Sequence, residues 1–177
     1  ALDTWLDISP ADEAKRLLDE IDSGQVVDED DELLGRLLNQ LYPAHLKPNE
    51  LLRHLHPPKS ARLIGNYLMF WDYRLPERAP DNHLPSLLTG LSQRRDMFGE
   101  TRLDGDLSRA TGQLVARALE ALGDKASDEQ ITTWLGAGAD EYGRIHREQE
   151  PQAAIQKWLE RRPERYKAVL GLSLIHI

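Results

Sequence analysis

Apolar residues in this chain return at intervals of three and four, and a proline or glycine closes nearly every such run. The clearest case is Leu33, Leu34, Leu37, Leu38 and Leu41, which share one helical face and are followed by Pro43. A period near 3.6 suits a helix with one buried stripe and does not suit a strand, whose side chains alternate every second residue. No stretch of useful length alternates in that way. The pattern predicts an all-α chain of about nine helices, as an irregular helical array or an α-solenoid-like stack.

The remaining runs follow the same logic. Ser9 and Pro10 read as an N-cap and a first helical proline. Ala11, Ala14, Leu17, Leu18 and Ile21 then fall at helical spacing, and Gly24 ends the element. Pro48 opens a short helix that stops before Pro57 and Pro58. An aromatic helix is expected from about Ser60 to Leu75, and another after Asp81 with Leu84, Leu87, Leu88 and Leu91 on its apolar face. The stretch "FGETRLDGD" reads as a loop or hinge. Beyond it, Leu107, Ala110, Leu114, Val115, Ala118 and Leu122 form an amphipathic helix ended by Gly123. Ser127 with Gln130 resembles a capping box, opening a helix that carries Ile131, Trp134, Leu135, Tyr142 and Ile145. Gly136, Gly138 and Gly143 weaken its continuity. Pro151 and Pro163 start the last two helices.

Residues 1–97 are thus expected to form a helical subdomain containing the aromatic helix, and residues 106–171 a second one. The ending "GLSLIHI" resembles translated sequencing-adapter read-through. Residues 172–177 are accordingly expected to be a non-native tail, and the chain, which starts at Ala1, a fragment of a longer protein. The dipeptide Trp-Leu recurs at 5–6, 134–135 and 158–159, a faint sign of repeated units.

Composition narrows the chemistry. Cysteine is absent, which rules out disulfides and thiolate nucleophiles. No run approaches the roughly 18 apolar residues of a membrane span. With 22 Lys plus Arg against 30 Asp plus Glu, the balance opposes broad nucleic-acid binding. These features lead to the expectation of a cytoplasmic protein with neither a membrane nor a nucleic acid as partner.

Motifs that carry catalysis are missing from the sequence. There is no Walker-type phosphate loop and no G-x-S-x-G elbow. "GAGADE" at 136–141 begins like a dinucleotide loop, but Glu141 stands where the third glycine belongs, so helix-packing glycines are the better reading. His45, His54, His56, His83 and His146 show no metal-ligand spacing. No catalytic, cofactor-binding or metal-binding residue is assigned, and no cofactor is expected. The acidic run Asp28 to Glu32 reads as a solvated cap on the leucine-rich helix behind it. The basic cluster Lys157, Arg161, Arg162, Arg165 and Lys167 reads as a solvated helix face, with an acidic partner as the alternative.

The densest aromatic stretch is "NYLMFWDYRLP". On a helical wheel Leu63, Ile64, Tyr67, Leu68, Phe70, Trp71 and Leu75 fall on one wide arc, while Met69 and Tyr73 form a smaller patch opposite. A core seam is the better reading, with Trp71 buried, over a platform for a ligand. Two apolar patches also suit an inner helix touched on both sides.

Residues 41–91 resemble a segment of large bacterial NACHT-type STAND NTPases. The resemblance rests on Leu41-Tyr42-Pro43, a short helix, the pattern P-x-x-x-x-L-I-G-x-Y-x-x-F-W from Pro58 to Trp71, and Asp81-x-His83-Leu84. It implies a P-loop ATPase upstream, a regulatory helical region and a role in conflict with phage or other invaders. This chain lacks every nucleotide-binding motif, so no catalytic residue carries over. The resulting expectation is a non-catalytic helical module of a larger signalling NTPase, coupling nucleotide state to a sensor or effector. Its partners would be the ATPase and sensor regions of its own parent chain, or another protein. An independent α-helical scaffold that binds a protein partner is the alternative, and an enzyme is a third reading.

Overall fold

The computed structural model describes residues 10–59, 65–94, 104–138 and 149–175. Among these the fold is all-α, with nine helices and no strand. The chain divides into two compact units, Ala1–Ala79 and Pro80–Ile177. That division lies earlier than the one read from the sequence at 97–106, because the helix over Leu84–Ser92 packs with the later helices. Most of the expected hinge at 98–106 lies outside the described residues.

In the first unit, α1 spans Ala11–Asp22. Pro10 is extended rather than helical, and its carbonyl accepts the N–H groups of Glu13 and Ala14. Ser9 lies outside the described residues. Gly24, at φ 76°, makes the left-handed turn that ends the element, where a side chain would be strained. α2, Glu32–Leu41, buries Leu34, Leu37, Leu38 and Leu41, and packs against α1 through Ala14 and Leu18. α3 is Pro48–Leu51, prolonged by a 3₁₀ turn over Leu52–His54. The Glu50 carboxylate caps it, accepting the Lys47 N–H at 2.7 Å, and that bond holds Glu50 below the usual carboxylate range.

The aromatic helix, α4, differs from the sequence reading. Its described part begins at Asn66 and has three parts: α-helix Asn66–Met69, a π-helical turn Phe70–Arg74, and α-helix Leu75–Arg78, while the expected start at Ser60 lies outside the described residues. Gly65 is extended, and the Asn66 N–H is taken by the Glu32 carboxylate of α2 at 3.1 Å, so the helix starts where another element supplies its cap. Leu63 and Ile64 lie outside the described residues. Pro76 sits inside the helix instead of ending it. Proline has no N–H, and in an α-helix its ring strikes the carbonyl four residues back, here that of Asp72. A wider turn before it relieves the clash, and the Leu75 N–H reaches the Phe70 carbonyl, five residues back.

Gly35 lets α2 and α4 meet backbone to backbone. A Cβ there would collide with the main chain of Asn66 and Tyr67.

In the second unit a 3₁₀ turn over Asp81–His83 leads into α5, Leu84–Ser92, whose four leucines are all buried as expected. α6 is Asp104–Leu122, with Ala110, Leu114, Val115, Ala118 and Leu119 buried. α7 is Asp128–Ala137. The capping box is present: Ser127 Oγ accepts the Gln130 N–H at 3.2 Å, and Gln130 Oε1 accepts the Ser127 N–H at 2.9 Å. α7 stops at Gly138, short of the expected continuation, and Tyr142 and Ile145 lie outside the described residues. α8, Gln149–Glu160, packs on α6, and α9, Pro163–Ile175, packs on α7. The backbone of α9 continues helically into the 172–177 segment as far as Ile175.

Candidate functional site

The aromatic stretch builds a core. Tyr67, Phe70 and Trp71 are buried, and Tyr73 alone of the four is exposed, at 42%. Trp71 meets Tyr67 and Phe70 edge to face, at centroid distances of 6.1 and 5.3 Å, and Phe70 meets Tyr42 in the same way at 6.3 Å. The His56 ring stacks on Tyr67 at 5.0 Å. Edge-to-face contacts set the positive rim of one ring against the negative face of the next. Among the described residues the rings of Tyr67, Phe70 and Trp71 are closed into the core rather than set out as a platform, and Tyr73 lies on the more exposed side of α4.

The Tyr67 hydroxyl ties this core to the segment after α3. It accepts the His56 N–H at 2.8 Å and lies 2.8 and 2.9 Å from the carbonyls of His54 and His56, either of which takes its proton. Burial pushes the phenol pKa well up, so it stays a donor at any ordinary pH. The Trp71 indole N–H is buried without an acceptor at hydrogen-bond geometry among the described residues.

The acidic run 28–32 is structural, but it is not a solvated cap. Asp31 is fully buried and takes the left-handed conformation, φ 62°. One of its oxygens accepts the Lys59 backbone N–H at 2.7 Å, and the other pairs with Lys59 Nζ at 2.9 Å. His56 Nε2 stands 3.8 Å from the same carboxylate. Asp28 accepts the N–H of Leu34 at 2.8 Å, so it caps α2 from outside the helix. Glu32 holds both the backbone and the side-chain amide of Asn66. Asp28 thus caps α2, while the carboxylates of Asp31 and Glu32 clamp its start to Lys59 and to the start of α4.

The basic cluster is likewise partly spent inside its own unit. Arg162 makes a two-point bridge to Asp124, at 2.6 and 3.0 Å, and stacks over the Trp158 ring with its guanidinium carbon 4.3 Å from the centroid. Arg165 bonds Asp128 at 2.9 Å, the Gly123 carbonyl at 2.5 Å and the Ala126 carbonyl. Both arginines fasten the start of α9 to the turn between α6 and α7. Gly123 leaves the room that Trp158 occupies, since a Cβ there would meet the indole. Arg161, Lys157 and Lys167 remain exposed.

The described histidines are scattered. His54 is buried, with Nδ1 3.3 Å from the Asp22 carboxylate of α1. Burial lowers its pKa against the opposing pull of Asp22. His45 is exposed and His83 half-buried, while His146 lies outside the described residues. Among the described residues no three His, Asp or Glu side chains gather as a metal site, and no helix is long and apolar enough to cross a membrane. Of the "GAGADE" residues, Gly136 faces open space rather than a packed helix, and 139–141 lie outside the description.

Comparison of the chain with protein-family models, curated proteins and solved structures finds no match.

The sequence reading missed both clamps. The available signal was charge placed next to turns: Asp31 and Glu32 at the start of α2, Arg162 and Arg165 beside Pro163. Their partners, Lys59 and Asn66 in one case and Asp124 and Gly123 in the other, are far away in sequence.

Proposed function

We propose that this chain is a non-catalytic helical module of a larger NACHT/STAND-type signalling NTPase, cytoplasmic and bacterial, that couples the nucleotide state of its parent to a sensor or effector. The observation that carries the reading concerns the residues on which the resemblance rests. Leu41, Tyr42, Tyr67, Phe70, Trp71 and Leu84 are all buried in the units they belong to. A module that transmits force needs stiff packing, and side chains interdigitated at crystal-like density transmit strain. A shared packing motif is therefore what relatives of such a module would keep.

The test is the coding sequence upstream of Ala1. A Walker loop within roughly 400 residues, room for a few ordinary domains, supports the proposal. An upstream region of that length without one overturns it and leaves an independent helical scaffold as the better reading. On the same reading, calorimetric titration of this chain with Mg-ATP gives no heat of binding.

A further inference from the structure

We draw no further inference here: the strongest candidate, the exposed patch of α8 and α9 that sets Lys157, Arg161 and Lys167 beside the exposed ring of Tyr166, carries nothing, because the equally exposed Glu160 and Glu164 break its charge and nothing in the structure shows what covers it.

Discussion

Each unit of this protein sets a tryptophan beneath a charged clamp, and the two clamps use opposite chemistry. In the first, carboxylates of Asp28, Asp31 and Glu32 accept N–H groups of α2, of Lys59 and of Asn66 at the start of Trp71's helix. In the second, the guanidinium groups of Arg162 and Arg165 donate to carboxylates and carbonyls beside Trp158. Helix starts expose N–H groups and helix ends expose C=O groups, so an acidic clamp suits the first kind of junction and a basic clamp the second. They also differ in burial. Asp31 is fully enclosed, whereas Asp124, the partner of Arg162, is 71% exposed in its side chain. A buried charge must keep its partners, while an exposed one can fall back on water. The first clamp should therefore be the brittle one.

The largest expected effect lies in the core under that clamp. Trp71→Ala should cost about 3–5 kcal/mol, as large-to-small core changes do when neighbours cannot collapse into the space. Tyr73→Ala, on the exposed side of the same turn, should cost about 1 kcal/mol or less. Urea midpoints of the two variants decide this, and an unchanged midpoint for Trp71→Ala would refute the core reading. Next comes Asp31→Ala, at about 2–4 kcal/mol, since it strands the Lys59 N–H and puts alanine at positive φ. Asp31→Asn should recover part of that loss in the same measurement.

In the second unit, Arg165→Ala should cost only about 1–2 kcal/mol, from two carbonyls that lose a donor. Arg162→Ala should shift the melting temperature less still, and added salt should erase most of the difference. If Arg162→Ala proves as damaging as Asp31→Ala, the contrast between the clamps fails.

The smallest effect is on pH. Burial holds His54 below its ordinary value of 6.5. As pH falls through that value the unfolded chain takes up the proton before the folded one does. Stability that is complete above 6.5 is then lost until His54 itself protonates in place. The hydrogen bonds from Arg162 hold Asp124 below its ordinary 3.8, so its contribution persists down to that value and fades only beneath it. Between about pH 7.5 and about pH 5 the first unit should weaken and the arginine clamp should not. Urea transitions followed through backbone resonances of each unit at the two pH values check the prediction, and His54→Gln should remove the difference.

What the sequence disclosed and what it hid divide along a physical line. Stripes and caps are local, so α2, α5 and the Ser127–Gln130 box could be read directly. The burial of Trp71 followed from the spacing of Tyr67, Phe70 and Leu75 around it. The start of α4 did not, because it is set by Glu32, an acid on another helix. Pro76 reads as a stop in any linear scan, and only the widened turn shows how a helix passes through it. The clamps need pairs about thirty or forty positions apart, and helical periodicity is blind to such pairs.

The contact at Gly35 has a consequence for how this chain can vary over time. A position where even one carbon atom lands on the neighbouring main chain has no neutral neighbours in sequence space. Gly136, which looks onto open space, can drift through most of the alphabet. Substitutions in α2 and α4 that would separate the two helices must therefore arise together around an unchanging glycine. Residue 35 should be the slowest-changing glycine among distant descendants of this sequence, and a sensible anchor from which to align them.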